Sequence, residues 1–270
     1  MATLGLTGAV PGGAPGGLIV DMDGVLYRGE EPMPGLVEFF ELARGHPFAL
    51  ITNNSTVTAL DCEKKLARMG VNVPAAAVLT VSDTTARYLS GARLPGRRAL
   101  VIGSPVLKDA VAGAGMELVG SSADVVVIGL DTQLTYATLA EAVRSITNGA
   151  AFVATSFDAV LLTEEGNAPG SGAIVAAVQA CVATTPLCIG KPSAAMFETA
   201  AELLGLRTDE TLVVGDNLGS DIAGGAGVGA RTALLLSGVA DAPVPGGPRP
   251  DFVFAGLPAL TEFLRSMWSG

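Results

Sequence analysis

Histidine is almost missing from this chain of 270 residues, where His46 is the only one. Ser-His-Asp or Cys-His catalysis and His-rich metal sites would all have to rest on it. It lies in Gly45-His46-Pro47, a turn signature that predicts an exposed structural role. Cysteine is scarce too: Cys62, Cys181 and Cys188 are odd in number, lack metal-ligand spacing and fall in apolar-patterned segments. Core packing is therefore expected of them rather than a disulfide or thiol chemistry. Lysine occurs only at Lys64, Lys65, Lys108 and Lys191, and no basic cluster exists; with 26 acidic against 16 basic residues the net charge is −10. That balance excludes a nucleic-acid groove, which needs clustered Lys and Arg, but still allows a small phosphorylated ligand held by one or two cations and backbone amides. No uncharged apolar run approaches the ~20 residues of a membrane span. The opening stretch MATLGLTGAVPGGAPGG has neither a basic start nor a sustained apolar core. It predicts a loose tail over residues 1–17 and a cytoplasmic protein.

What the chain does have is apolar material, 49% of its residues, and an abrupt boundary where one apolar run meets charge. In LIVDMDGVLYRG, Leu18, Ile19 and Val20 read as a strand covered on both faces, as in a parallel sheet. Asp21 and Asp23 follow at its carboxyl end, the edge where open α/β sheets bind ligands. Two carboxylates so close repel unless one is protonated or a cation lies between them, and an all-oxygen site suits Mg²⁺.

The same design recurs downstream. A helix over Gly35–Arg44 leads to a buried strand, Pro47–Ile51, that stops in Thr52-Asn53-Asn54-Ser55, where a hydroxyl, an amide and backbone N–H groups could hold an anion. A helix over Ala59–Met69 follows, closed by Gly70. After residue 185, Cys188-Ile189-Gly190-Lys191-Pro192-Ser193 brings a lysine between a strand and a helix whose first turn tolerates Pro192. The strand Thr211–Val214 runs into Gly215-Asp216-Asn217 and Ser220-Asp221, a third carboxylate cluster, and Ala230–Leu236 reads as a further buried strand. Strands alternating with helices predict a doubly wound, Rossmann-like α/β core with a parallel sheet, formed by residues 18–80 and 186–270.

Residues 81–185 have an α/β rhythm of their own and read as an inserted cap domain. Strands are expected at Arg98–Ile102, Asp124–Gly129, Ala151–Thr155 and Val160–Thr163, with helices at Tyr136–Ile146 and Gly172–Ala183. Ser82–Gly96 and Val182–Leu187 are the candidate hinges. Ser156-Phe157-Asp158 forms a polar and aromatic loop tip between two of the cap strands.

Taken together, DMDGVLYRG, TNNST, GKPS and VVGDNLGSDIAGGAGVGARTALLLSGV resemble, in order, the motifs of the haloacid dehalogenase-like (HAD) phosphohydrolases. The cap's place between the second and third motifs is similar to the branch with a type-two α/β cap, which includes para-nitrophenyl, phosphoglycolate, glycerol-phosphate and pyridoxal-phosphate phosphatases. The resemblance covers nearly everything after residue 17. It implies that Asp21 is the nucleophile and Asp23 the general acid and base. Mg²⁺ would be held by Asp21, Asp216 and the backbone carbonyl of Asp23, with Asp221 supporting that shell, while Thr52, Asn53 and Lys191 bind the transferring oxygens. Ser156, Phe157 and Asp158 would choose the substrate. There the chain departs from its relatives, with ATSFD where many of them have ATNPD. The implied partner is a small phosphate ester, and a homodimer through the cap is compatible with it. A catalytically silent phosphate binder or scaffold of the same fold is the competing reading. Keeping both Asp21 and Asp23 counts against it, since a pure binder gains nothing from a nucleophile and a proton carrier.

Overall fold

A computed structural model describes residues 13–163, 166–236 and 247–269. Most of the expected tail, residues 1–12, lies outside them. The rest of that tail belongs to the core: Gly17 starts the first strand, Gly16 N donates to the Glu210 carbonyl at 2.8 Å, and Trp268 Nε1 donates to the Pro15 carbonyl at 3.2 Å.

Six parallel strands form the larger sheet, in the order Phe252–Phe254, Arg231–Leu235, Thr211–Gly215, Gly17–Asp21, Phe48–Thr52, Val78–Thr80. The chain starts at the fourth of these, builds outward in one direction, and returns after the cap to build outward in the other. The strand order therefore reverses between Gly17–Asp21 and Thr211–Gly215, the switch point beside which α/β proteins open a crevice. Alternate residues of each strand face opposite sides. Leu18, Val20, Leu50 and Val214 pack against Phe39, Phe40, Leu66 and Leu260 on one face, while Ile19, Ile51 and Val213 pack against Met196, Phe197 and Ala200 on the other. The continuous apolar runs in the sequence follow from this double cover.

The smaller sheet has five parallel strands, in the order Leu187–Cys188, Ala151–Ala154, Val125–Ile128, Arg98–Ile102, Glu117–Leu118. One face is covered by helices Tyr136–Thr147 and Ser171–Gln179 through Ile146, Ile174 and Val178. Its other face, with Val101, Val127 and Val153, joins the same apolar cluster that lies under Ile19 and Ile51 of the larger sheet. Two expectations are corrected here. Leu187–Cys188 belongs to the smaller sheet, so the return to the core falls after residue 188 and not at 186. The expected hinge from Ser82 is instead a helix, Val81–Gly91, fixed at its start by a capping box in which Thr80 and Asp83 exchange side-chain-to-backbone bonds.

Among the described residues no helix is long and apolar enough to cross a membrane. Burial pushes the thiols of Cys62 and Cys188 up to about 11, which keeps them protonated and unreactive at neutral pH. Cys181 departs from the expectation of core packing, because the last cap helix ends at Gln179 and leaves it exposed. His46 is half-buried and stacks on Trp268, with ring centroids 3.5 Å apart.

Leu107, fully buried on the cap helix Pro105–Gly113, belongs to the cluster shared by both sheets. Leu107→Ala is expected to cost about 2–5 kcal/mol. Because one cluster serves both sheets, urea denaturation should show a single transition moved to lower urea rather than early loss of the cap alone.

Candidate active site

Two strand ends of the larger sheet and the turn that follows one strand of the smaller sheet converge on one buried ion set. Asp21 ends the central strand, and Asp216 follows the neighbouring strand Thr211–Gly215. Asp221 lies one turn further on and returns beneath Asp216, where Asn217 caps the intervening turn by accepting from Gly219 N at 2.8 Å and Ser220 N at 3.0 Å. Lys191 arrives from the turn after Leu187–Cys188. That turn, with a cis Lys191–Pro192 bond, precedes the helix Ala194–Leu204, so Pro192 lies ahead of the helix and not in its first turn.

Lys191 Nζ donates to Asp21 Oδ1 at 2.5 Å and to Asp221 Oδ1 at 2.7 Å, and all three side chains are buried. The second oxygen of Asp221 accepts from Asn217 N at 3.1 Å. Asp21, Asp216 and Asp221 each offer a carboxylate oxygen within 4.8 Å of the others. Only oxygen donors meet there, as a hard cation such as Mg²⁺ requires. Two glycines make this approach feasible. Gly24 adopts φ +83°, and a Cβ on it would fall 2.1 Å from Asp216 Oδ2; one on Gly215 would fall 2.2 Å from Asp221 Cβ.

Burial pushes the Asp21 carboxyl well above the usual carboxylate range; Lys191 pulls it back, while Asp221 and Asp216 add to the rise. For Lys191 burial acts downward, but Asp21 and Asp221 outweigh it and hold the ammonium charged beyond its ordinary range. Asp23 exposes its surface to solvent, yet is walled closely enough that desolvation raises its carboxyl against the pull of Lys65 and Lys191.

Among the remaining expected site residues, Thr52 is buried and accepts from Asn54 N at 3.1 Å, which still allows its hydroxyl to donate. Asn53 departs from the expected part. Its Oδ1 accepts from Lys191 N at 2.8 Å, while its Nδ2 donates to the Lys191 carbonyl at 3.1 Å and to Asp158 Oδ2 at 3.1 Å. The amide is thus engaged in placing Lys191 and the cap loop. In that loop Ser156 is buried and donates to Asp158 Oδ2 at 2.5 Å, while the Phe157 ring is 48% exposed. The carboxylate cluster contains Asp221 and not Asp23, so the Asp23 side chain is not among the grouped carboxylates.

Sequence reasoning missed Ser55, whose carbonyl accepts from Ser104 Oγ at 2.6 Å and whose hydroxyl accepts from Leu130 N at 3.3 Å, tying the second motif to the cap. It also missed the hairpin of Tyr27–Arg28 and Glu31–Pro32 beside Asp23. The repeated polar run TNNS was the only signal for Ser55; the hairpin's two-residue strands are too short to show a period.

The family profile described as haloacid dehalogenase-like hydrolase matches residues 18–117, and a second, HAD-hydrolase-like, matches residues 188–260. An acid sugar phosphatase from Staphylococcus aureus is 36% identical over 224 residues, 82% of this chain and 86% of its own length. A 5'-nucleotidase from Bacillus subtilis is 34% identical over 225 residues, covering 83% and 88%. The crystal structure of a glycerol phosphate phosphatase from Mycobacterium tuberculosis in complex with magnesium superposes with a TM-score of 0.85 at 31% identity, over 93% of this chain and 78% of that one. The chain belongs to the haloacid dehalogenase-like hydrolases, in their branch of capped phosphatases.

Removing Lys191 leaves Asp21 and Asp221 buried without their cation, a loss of about 3–5 kcal/mol near neutral pH. The sign with pH follows from the raised carboxyl. A group whose pKa is higher in the folded state favours folding at low pH, and that contribution is lost as pH rises through the folded value. Lys191→Met deletes the group that opposes the rise, so its deficit relative to wild type should widen from about pH 5 to about pH 8. Urea denaturation at both pH values, without divalent metal, measures this; a constant deficit would remove Lys191 from the charge balance.

Proposed function

We propose that the protein is a Mg²⁺-dependent phosphomonoester hydrolase, acting on small phosphorylated metabolites through an aspartyl phosphate on Asp21. The observation that carries this reading is the buried Lys191 held between Asp21 and Asp221 with Asp216 alongside. By binding Oδ1 of Asp21, Lys191 fixes the carboxylate so that it meets phosphorus in one orientation. An oxygen of Asp21 forms the new bond to phosphorus as the ester P–O bond breaks. Asp23 gives its proton to the departing alkoxide and later takes one from the water that hydrolyses the aspartyl phosphate. The raised carboxyl of Asp23 supports the donor half of that exchange. Thr52 and Lys191 bind transferring oxygens, and any donor from Asn53 is its backbone N–H, because its amide is engaged elsewhere. Mg²⁺ held by Asp21, Asp216 and the Asp23 carbonyl would neutralise charge as the anionic nucleophile approaches the anionic phosphate. The exposed Phe157 ring covers the far end of the substrate. Exposed apolar side chains elsewhere on the cap, Tyr136, Val160 and Leu187, supply a surface that a homodimer would bury.

EDTA should abolish phosphate release, and added Mg²⁺ should restore it. Asp21→Asn should leave a folded protein without measurable turnover, whereas Asp23→Asn should lower kcat by about 10²- to 10⁴-fold with little change in substrate binding. Wild-type rates in Asp21→Asn would end the covalent mechanism. A silent binder of the same fold would bind phosphate esters without releasing phosphate from any of them.

Phe157→Ala should reorder preference among natural phosphate esters through kcat/KM while changing turnover of p-nitrophenyl phosphate much less. An equal fall on every substrate would assign Phe157 to packing.

A further inference from the structure

Beside Asp23 opens a cleft of about 220 Å³ between the 27–32 hairpin and the helix Ala59–Arg68, lined among others by Tyr27, Lys65 and Arg68 and by the carboxylates Asp23, Glu30 and Asp61, the last of them engaged by Thr58. Two cations converge in it, in a chain that has only four lysines and a net charge of −10. Lys65 and Arg68 are one helical turn apart on the same face. Lys65 Nζ lies 3.9 Å from the centroid of the buried Tyr27 ring, which holds it over the cleft. Glu30, from the hairpin, already shows how a carboxylate fits this pair: Oε1 is 3.5 Å from Lys65 and Oε2 is 3.5 Å from Arg68. Both contacts are long and the Glu30 side chain is 68% exposed, so the chain's own carboxylate is a weak and displaceable occupant.

The leaving oxygen of a substrate must reach Asp23 to take its proton, so the remainder of the leaving group extends from the place where this cleft begins. We infer that the cleft is a subsite for a second anion on the leaving group, a carboxylate or a second phosphate, bound by Lys65 and Arg68 in place of Glu30. This rests on the phosphatase reading above and narrows its substrates to phosphomonoesters that carry a further negative charge.

Three propyl phosphate esters, ending in a hydroxyl, a carboxylate or a second phosphate, test it with p-nitrophenyl phosphate as the reference. Wild type should favour at least one charged-end ester over the hydroxyl ester by about tenfold or more in kcat/KM, mainly through KM. The carboxylate and bisphosphate arms distinguish which anion is preferred. Lys65→Met with Arg68→Gln should bring the ratio close to one, and Arg68→Gln alone, at a side chain 64% exposed, should move it the same way. Lys65→Arg should keep the preference. Glu30→Gln should raise it, because the competing carboxylate is gone. A wild-type ratio near one, or a ratio that the double variant leaves unchanged, overturns the subsite. Failure of the wild type to hydrolyse even p-nitrophenyl phosphate with Mg²⁺ would instead overturn the phosphatase reading and this inference with it, whereas turnover of that ester without the preference removes the subsite alone.

Discussion

A lysine ammonium taken out of water between two carboxylates is the constraint on which this molecule depends. Desolvating one charge costs several kcal/mol, and only close, well-directed partners offset it. Lys191 meets that demand with Asp21 and Asp221, which come from opposite sides of the strand-order reversal and lie 170 and 30 positions from the lysine in sequence. The turn after Cys188, the strand end at Asp21 and the return of Asp221 beneath Asp216 therefore have to be in place together. Asp216 completes a group in which one ammonium faces three carboxylates. If all are ionised, that is an excess of two negative charges, which protonation or a divalent cation neutralises. Burial is the main cause of the rise in the Asp21 carboxyl, and the charges of Asp221 and Asp216 add to it.

Chemistry and cover are linked by one side chain. Asn53 brackets the backbone of Lys191 with its amide oxygen and nitrogen, and the same nitrogen reaches Asp158 in the cap. Asp158 is held in turn by Ser156. The cap loop and the peptide that carries the central lysine are thus bonded to the same amide. Ser55, two residues further along the same loop, adds the contacts to Ser104 and Leu130. The second motif is therefore a joint between the sheets.

Much of this was legible in the chain. A strand buried on both faces carries no polar residue until it leaves the sheet, so Asp21, Thr52 and Asp216 stood out as polar residues at the ends of apolar runs. The part played by the Asn53 amide did not, because its partners are 105 and 138 positions away and no local spacing encodes them. The candidate hinge Ser82–Gly96 is helical over most of its length, within Val81–Gly91. Thr80 and Asp83 stand in capping-box spacing, and Thr84 and Thr85 satisfy their hydroxyls on carbonyls one turn back, so the polar residues are compatible with a helix. Leu187–Cys188 was assigned to the wrong side of the boundary because a two-residue strand has no period; its sheet is set by pairing with Val153 and Ala154.

A protein of net charge −10 that binds an anion must do so against its own average field. At physiological ionic strength, charges more than about 8 Å apart across solvent are largely screened, so the average matters less than the few groups that line the crevice. Lys191 is the strongest of these, because burial removes the solvent that would screen it and its two carboxylate partners keep it charged. Those partners also cancel most of its outward field. Attraction for a phosphate then depends on what neutralises Asp21 and Asp216, and a divalent cation does this where a second lysine could not, since an ammonium donates hydrogen bonds but cannot accept phosphoryl and carboxylate oxygens into one coordination shell. The acidity of the whole chain and the acidity of its centre are in this sense separate matters. The first is a surface property that screening disposes of, and the second is a local excess of carboxylates that a divalent cation would offset.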